Sequence, residues 1–446
     1  MAQVKFCTYF DHHYLDRGLV LYESLRRHFP GAVLHVLALS ETCEDFLRKL
    51  ALDGLVVASI SKILNDEPRL VDARKSRSAT EFIFTLTPYI VCDTLNEIEE
   101  GGQVIYLDAD MMFFGSPAGI LRESETCDVA ITPHNFSPHM EGHKRFGIYN
   151  VGWVGFKKSP GGVRCAQWWA ESCLECCHDR LENGKFADQK YLENFENIAD
   201  SVHVIKDIGL NAAPWNVSGR RFSKTGDEVF VDYIPLVLYH FAKVKRITPW
   251  CIASRLKQQA VVRAKKLNSI VYREYAKRLE KVTQKFSLPA EWLFNIKNQR
   301  HAKYKQFPKD ENVSPITCFF KILTGDYVLS SPSKISEFSR RDPELQPSNA
   351  AVKKSHHASE AHLTTPPLKI SLVTPSFNQA NWLKKCAGSI FNQNYTSLQY
   401  VVMDGGSTDS SRQIIDSFSE KLYAFRCEKD EGQYDAINRG FLLSDG

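Results

Sequence analysis

The chain has 446 residues, of which 43% are hydrophobic and 24% are charged, and its formal net charge is +4. This composition is typical of folded globular domains and excludes a fibrous or largely disordered protein. No segment reaches the roughly 18 consecutive apolar residues that cross a bilayer, and no secretory signal is recognisable. The small net charge argues against nucleic acid as a partner. We therefore expect a cytoplasmic protein with reduced cysteines.

The N-terminal part of the chain alternates between strand-like and helix-like segments. Residues 3–10 and 33–39 are apolar and strand-like, and apolar residues recur at helical spacing between them. A further β-rich run, residues 103–107, ends in Asp-Ala-Asp. This alternation predicts an α/β domain with a mainly parallel sheet and a ligand site at the carboxyl ends of its strands. Asp108 and Asp110 stand at such an end.

The spacing of Asp108 and Asp110 points to a metal site. Carboxylates two residues apart at the end of an extended strand face the same side and can share one hard cation. A divalent cation can neutralise a diphosphate leaving group while the bond to a transferred sugar breaks. We interpret the pair as ligands for Mn²⁺ or Mg²⁺ at a site for a nucleotide-diphosphate sugar. A capped turn with a structural role is the alternative for this motif.

Five motifs in residues 1–250 resemble those of glycosyltransferase family 8 and related GT-A fold enzymes. In chain order they are FCTYFDHHYL, YLDAD, YNVGWVGF, FADQKYL and YHFAKVK. The resemblance implies a metal-dependent hexosyltransferase that uses a nucleotide-diphosphate sugar, with a UDP-sugar as the expected donor. It also implies that the anomeric configuration is retained.

The same resemblance assigns roles to individual residues. It places Thr8, Asp11 and Tyr14 on the loop that receives the nucleoside, Asn150 against the donor sugar, Asp188 and Gln189 beside the reacting carbon, His240 as a third metal ligand and Lys245 on the diphosphate. Each assignment has a structural alternative. Asn150 can shape a turn, Asp188 and Gln189 can cap a helix, His240 can be a core histidine, and Lys245 can be a solvated charge.

A basic region follows the first domain. Residues 251–310 contain fifteen Lys and Arg against four Asp and Glu, among apolar residues at helical spacing. We expect a basic helical connector over residues 251–329 and, from its Ser- and Pro-rich composition, a flexible linker over residues 330–367. The connector would either pack on the first domain as a solvated helix or make the protein membrane-peripheral by lying on an anionic surface.

Residues 368–446 open a second α/β pattern. The segments KISLVTPSFNQANWLKKCAGSIFNQNY, VVMDGGSTDSS and DEGQYDAINRGFLLSDG resemble the first half of a family 2 glycosyltransferase. By this resemblance Pro375, Phe377 and Asn378 line the nucleoside pocket and Asp404 reaches the base. That family's metal-binding motif is not among the matched segments, so we expect an incomplete, inactive domain of a bifunctional parent. A non-catalytic binding module is the alternative.

The sequence thus predicts an α/β chain with a GT-A (Rossmann-like nucleotide-diphospho-sugar transferase) domain, a basic connector and a truncated second GT-A type domain. The predicted reaction is sugar transfer onto a glycan or lipid-linked acceptor, by analogy in bacterial surface polysaccharide synthesis. Two rival hypotheses remain at this point. One is a phosphatase or nucleotidyltransferase that uses the same aspartates, and the other is a non-catalytic sugar-nucleotide-binding protein.

Overall fold

The computed structural model describes residues 3–262, 264–293, 326–331, 369–393, 395–430 and 432–444. The chain divides into two compact units, residues 1–335 and 336–446. Apart from residues 330 and 331, the predicted flexible linker lies outside the described residues. Among the described helices, none combines the length and apolar character needed to cross a membrane.

The first unit is built on a seven-stranded sheet. Its strands are β1 (Val4–Phe10), β2 (Val33–Ala38), β3 (Leu55–Ser59), β4 (Gln103–Leu107), β6 (Val129–Pro133), β7 (Tyr149–Lys157) and β8 (Val202–Val204), and the short β5 (Met111–Phe113) lies outside it. The order is β3-β2-β1-β4-β7-β6-β8. All neighbours pair in parallel except β7, which is antiparallel to β4 and β6. The predicted α/β fold is confirmed.

Helices cover both faces of this sheet and enclose two apolar cores. They are α1 (Leu15–His28), α2 (Glu41–Leu50), α3 (Ile60–Asp66), α4 (Arg69–Ser76), α5 (Ala79–Asn96), α6 (Ala118–Glu123), α7 (Pro160–Glu175) and α8 (Phe195–Ile198). Their ends follow local sequence rules. At the start of α5, the Ser78 side chain accepts from the Glu81 backbone and the Glu81 carboxylate accepts from the Ser78 backbone, which satisfies two free amides.

A second set of short strands completes the first unit. They are β9 (Phe222–Thr225), β10 (Glu228–Val231), β11 (Ile234–Pro235), β12 (Leu238–His240), β13 (Lys245–Thr248), β14 (Cys251–Ala253) and β15 (Tyr327–Leu329). β12 is antiparallel to β5, with His240 opposite Met111. This pairing carries His240 to the turn that holds Asp108 and Asp110.

The described part of the predicted connector shares the core of the first unit. It forms β14, α9 (Ala264–Leu267), α10 (Arg273–Lys285), α11 (Ala290–Leu293) and β15. Leu279 and Val282 are fully buried in the same core as β1 and α1. The Tyr275 ring stacks on the Phe241 ring with centroids 3.7 Å apart. The apolar stripe seen in the sequence is therefore buried against the core of the first unit, and this unit continues past residue 250.

The second unit contains a three-stranded parallel sheet. Its strands are β16 (Ile370–Ser376), β17 (Leu398–Asp404) and β18 (Ala424–Cys427), and its helices are α12 (Ala380–Phe391), α13 (Ser411–Asp416) and α14 (Gln433–Leu442). β17 is central, with β16 and β18 on either side. Leu383, Tyr400, Val402 and Ile415 form part of its small core.

Candidate active site

The structure brings Asp108, Asp110 and His240 together at the carboxyl end of β4. His240 Nε2 lies 3.0 Å from Asp110 Oδ1 and 3.7 Å from Asp108 Oδ2. The histidine is buried, whereas both aspartates keep part of their surface exposed. The Tyr106 hydroxyl donates to Asp108 Oδ1 at 2.9 Å and fixes that carboxylate. An imidazole and two carboxylates thus lie together at the carboxyl end of β4.

The charges of these three groups depend on one another. Burial would raise the pKa of Asp110, but the charge and hydrogen bond of His240 and the charge of Arg17 outweigh it, so this pKa is lowered. Burial raises the pKa of Asp108. The negative charge of Asp110 raises it further, and the positive charge of His240 opposes this rise. The pKa of His240 is raised, because its two carboxylate partners outweigh its burial. Two carboxylates and an imidazole suit Mn²⁺ as a ligand set, so these residues fit the predicted metal.

Asn150 and Gly152 form the wall beside His240. The Asn150 side-chain oxygen accepts from the Gly152 amide at 3.0 Å, and its amide nitrogen lies 3.3 Å from His134 Nε2. A Cβ on Gly152 would lie 2.6 Å from Asn150 Oδ1 and 3.0 Å from His240 Nδ1. Glycine is therefore required for the imidazole and the asparagine to occupy their places.

Asp188 is buried and lies within electrostatic reach of Asp108. It holds the N-cap position of a 3₁₀ turn, but its side chain makes no capping bond there. Its Oδ2 instead accepts from the Thr87 hydroxyl at 2.7 Å, and that hydroxyl lies 3.1 Å from the Tyr9 hydroxyl. Burial raises the pKa of Asp188 to about 7, and the nearby charge of Asp108 adds to the rise. The neighbouring Gln189 amide donates to the Phe146 carbonyl at 3.0 Å.

The predicted nucleoside loop follows β1. Thr8 is fully buried within the strand, Asp11 accepts from the His13 amide at 3.0 Å, and Tyr14 is 44% exposed. Burial of its hydroxyl raises the pKa of Tyr14 despite the charge of Arg17, and Asp110 contributes to that rise. Tyr14 therefore lies within electrostatic reach of Asp110. Lys245 begins β13 with its side chain exposed.

A second cluster with metal-ligand atoms lies on the same loop. Ligand atoms of Asp11, His12 and His13 are within 4.8 Å of one another. Each residue already has a partner, however. His12 Nδ1 lies 3.0 Å from Ser40 Oγ and His13 Nδ1 lies 2.9 Å from the Trp292 carbonyl. These bonds hold the loop in place, which explains why the three side chains lie close together.

Sequence reasoning missed several residues of the site. Tyr106 lies within the YLDAD motif, and Arg17 lies three residues after Tyr14. The motifs themselves could therefore have pointed to both residues. Thr87 and Trp215 gave no sequence signal. Thr87 reaches Asp188 from α5, and the Trp215 ring packs edge-on against His240 with centroids 5.1 Å apart.

The second unit gathers its predicted residues at the ends of β16 and β17. Asp404 accepts from the Ser407 amide at 2.9 Å and from its hydroxyl at 2.6 Å. Asn378, in the left-handed region with φ +53°, accepts from the Thr408 amide at 2.8 Å. Phe377 is 59% exposed, and Pro375 pairs with Met403 in the sheet. Asp404 and Asn378 thus fix two linked turns, with the Phe377 ring open to solvent.

Comparison with known proteins links the C-terminal part of this chain to sugar transfer. Residues 371–446 match the family described as "Glycosyl transferase family 2". The "PGL/p-HBAD biosynthesis glycosyltransferase" of Mycobacterium bovis is 39% identical over 80 residues, which cover 17% of this chain and 31% of that protein. "Uncharacterized protein YfnD" of Bacillus subtilis is 25% identical over 270 residues, covering 59% of this chain and 86% of that protein.

A solved structure is also similar. It is the galactosyltransferase LgtC in complex with donor and acceptor sugar analogs, with a TM-score of 0.40, 16% sequence identity, and coverage of 65% of this chain and 98% of that one.

The family match, the named relatives and the α/β fold together define the class of this protein. It is a glycosyltransferase with a mixed α/β fold. The predicted family 2 resemblance of the C-terminal segment and the predicted enzyme class are therefore confirmed.

Proposed function

We propose that the first unit transfers a sugar from a nucleotide-diphosphate donor, with a divalent metal held by Asp108, Asp110 and His240. The convergence of His240 Nε2 on both carboxylates carries this proposal. A bound Mn²⁺ or Mg²⁺ would offset the negative charge that develops on the leaving diphosphate. Without a cation, the paired aspartates would repel an anionic donor.

The remaining site residues support the same reaction. Tyr106 orients Asp108 through its hydrogen bond, and Gly152 leaves room for the His240 ring. Asp188, whose carboxyl is buried and held by Thr87, lies within electrostatic reach of Asp108 and is proposed to face the reacting sugar. Thr8, Asp11 and Tyr14 are proposed to receive the nucleoside, Asn150 and Gln189 the sugar, and Lys245 the diphosphate.

The finer points of the reaction belong to the same proposal. We take a UDP-sugar as the donor and a glycan or lipid-linked molecule as the acceptor, in bacterial surface polysaccharide synthesis. We further propose that the basic residues of 251–310 touch an anionic membrane surface. The second unit is proposed to bind a nucleoside through Pro375, Phe377, Asn378 and Asp404, as part of a bifunctional protein.

Calorimetric binding of UDP to the full chain tests the metal site. We expect UDP to bind in the presence of Mn²⁺ and to lose this binding in EDTA or after Asp110→Asn. Asp72→Asn, which changes an exposed carboxylate on α4, is the matched control and should bind as wild type. Since the second unit can also take a nucleoside, the titration is repeated with Asp404→Ala. Manganese-dependent binding that survives Asp110→Asn but disappears with Asp404→Ala would refute the proposed site.

A further inference from the structure

One buried cation, Arg17, contacts two segments of the proposed donor site. It is 8% exposed and lies on α1 beneath the Tyr14 ring, with 4.3 Å between its guanidinium carbon and the ring centroid. Its Nη2 donates to the Val244 carbonyl at 3.2 Å, and its Nη1 donates to the His13 carbonyl at 3.4 Å. Arg17 thus joins the loop after β1 to the segment between His240 and Lys245.

A chain of backbone hydrogen bonds extends this connection to the metal-binding turn. The Asp110 carbonyl accepts from the Phe241 amide at 2.9 Å, and the Phe241 carbonyl accepts from the Val244 amide at 3.2 Å. The Val244 carbonyl in turn accepts from Arg17. The guanidinium therefore closes a continuous path from Asp110 to α1, so these parts of the site are positioned together.

The charge of Arg17 is only partly neutralised. Its neighbour Asp16 is fully buried, with Oδ1 3.5 Å from Arg17 Nη1 and Oδ2 3.6 Å from Arg246 Nε. One carboxylate is thus shared by two buried guanidinium groups. Buried charges are costly unless opposite charges compensate them. The positive charge of Arg17 also acts on Asp110, whose pKa it helps to lower. Because this charge acts on a carboxylate proposed to hold the metal, it would also act on a diphosphate bound to that metal.

We infer that Arg17 is a positioning residue of the donor site, which holds the Tyr14 loop and the Phe241–Val244 segment in register with Asp110 and directs a fixed positive charge towards the donor diphosphate. This inference rests on the proposed function. It predicts that loss of the Arg17 charge changes the affinities for UDP and for Mn²⁺ in opposite directions. Loss of the charge removes attraction for a diphosphate, but it also removes repulsion of a divalent cation.

The test uses the full chain with Arg17→Met, Arg17→Lys and two controls. Binding of Mn²⁺ alone is followed by electron paramagnetic resonance, and binding of UDP in saturating Mn²⁺ by calorimetry. In Arg17→Met we expect Mn²⁺ affinity to be at least that of wild type and UDP affinity to fall by about tenfold or more, as for loss of a charged hydrogen-bonding group. Arg17→Lys keeps the charge and should recover part of the UDP affinity.

The controls separate positioning from folding. Arg246→Met removes the other guanidinium beside Asp16, so it tests the effect of disturbing the buried cluster, and unfolding curves report its cost. Arg27→Met changes an exposed arginine on the same helix. Equal weakening of Mn²⁺ and UDP in Arg17→Met, matched by Arg246→Met, would overturn the inference in favour of a structural role. Unchanged UDP affinity in Arg17→Met would overturn it as well. Failure of wild type to bind UDP would instead refute the proposed function.

Discussion

His240 Nε2 lies 3.0 Å from Asp110 Oδ1, although the two residues belong to distant parts of the chain. The pairing of β12 with β5 produces this contact, because it sets His240 opposite Met111, the residue after Asp110. The imidazole therefore reaches the aspartates through strand register. The contribution of His240 to metal binding can therefore be tested separately from the contribution of the aspartates.

Replacing His240 should weaken metal binding without removing it. In His240→Ala the two aspartates remain, so we expect Mn²⁺ affinity to fall by about 10- to 100-fold or more, because residues that only hold metal ligands in place already contribute this much. His139→Ala, at an exposed position, serves as the control. Titration of Mn²⁺ followed by electron paramagnetic resonance measures both variants. A wild-type affinity in His240→Ala would exclude the histidine as a ligand.

Adding one methyl group at Gly152 should disturb the site by steric contact. The new Cβ would press on Asn150 Oδ1 and His240 Nδ1, so Gly152→Ala should cost about 1–3 kcal/mol of unfolding free energy and weaken manganese-dependent UDP binding. Gly119→Ala is the matched control, because a Cβ there meets nothing within 4 Å and helix α6 should tolerate it. Urea denaturation with calorimetry measures both effects. Normal UDP binding by Gly152→Ala would contradict the close packing of Asn150 and His240 against Gly152.

The raised pKa of Asp188 should make stability depend on pH. This carboxyl has a pKa of about 7 in the folded chain against an ordinary value of 3.8, so between these values the folded state binds more protons than the unfolded state. Its contribution to stability is therefore present at low pH and is lost as pH rises towards 7. Asp188→Asn removes this contribution and still accepts the Thr87 hydrogen bond.

We expect the unfolding free energy of Asp188→Asn, relative to wild type, to rise with pH by at most about 1.4 kcal/mol per unit between about pH 4 and 7. Denaturation in EDTA at several pH values measures the difference. A difference that does not change with pH would show that the carboxyl titrates normally.

The packing of α10 on the site predicts a large stability effect at Tyr275. Its ring is fully buried against Phe241, so Tyr275→Ala should lower the unfolding free energy by about 3–5 kcal/mol. The Tyr275 hydroxyl has no hydrogen-bond partner among the described residues, so Tyr275→Phe should change stability by less than about 1 kcal/mol. Thermal or urea unfolding of the full chain compares them. A small effect of Tyr275→Ala would mean that α10 is dispensable for the first unit.

The local sequence determined the elements of this protein and the position of its central motif. Hydrophobic periodicity placed β1, α1, β2 and β4, and the motif after β4 located Asp108 and Asp110, because strand ends and turns are set by short-range preferences. Local patterns also predicted the α/β character of the second unit.

The tertiary structure decided what surrounds that motif. The antiparallel pairing of β12 with β5 brings His240 to the aspartates, and helix packing sets Thr87 against Asp188. The tertiary structure also decided how the basic region after residue 250 packs, because its described helices bury an apolar face in the first core. The lysines of these helices, Lys265, Lys266, Lys277, Lys281 and Lys285, are exposed. Burial also raises the pKa of Asp188. Long-range contacts and desolvation depend on the whole fold, so a local pattern of residues cannot specify them.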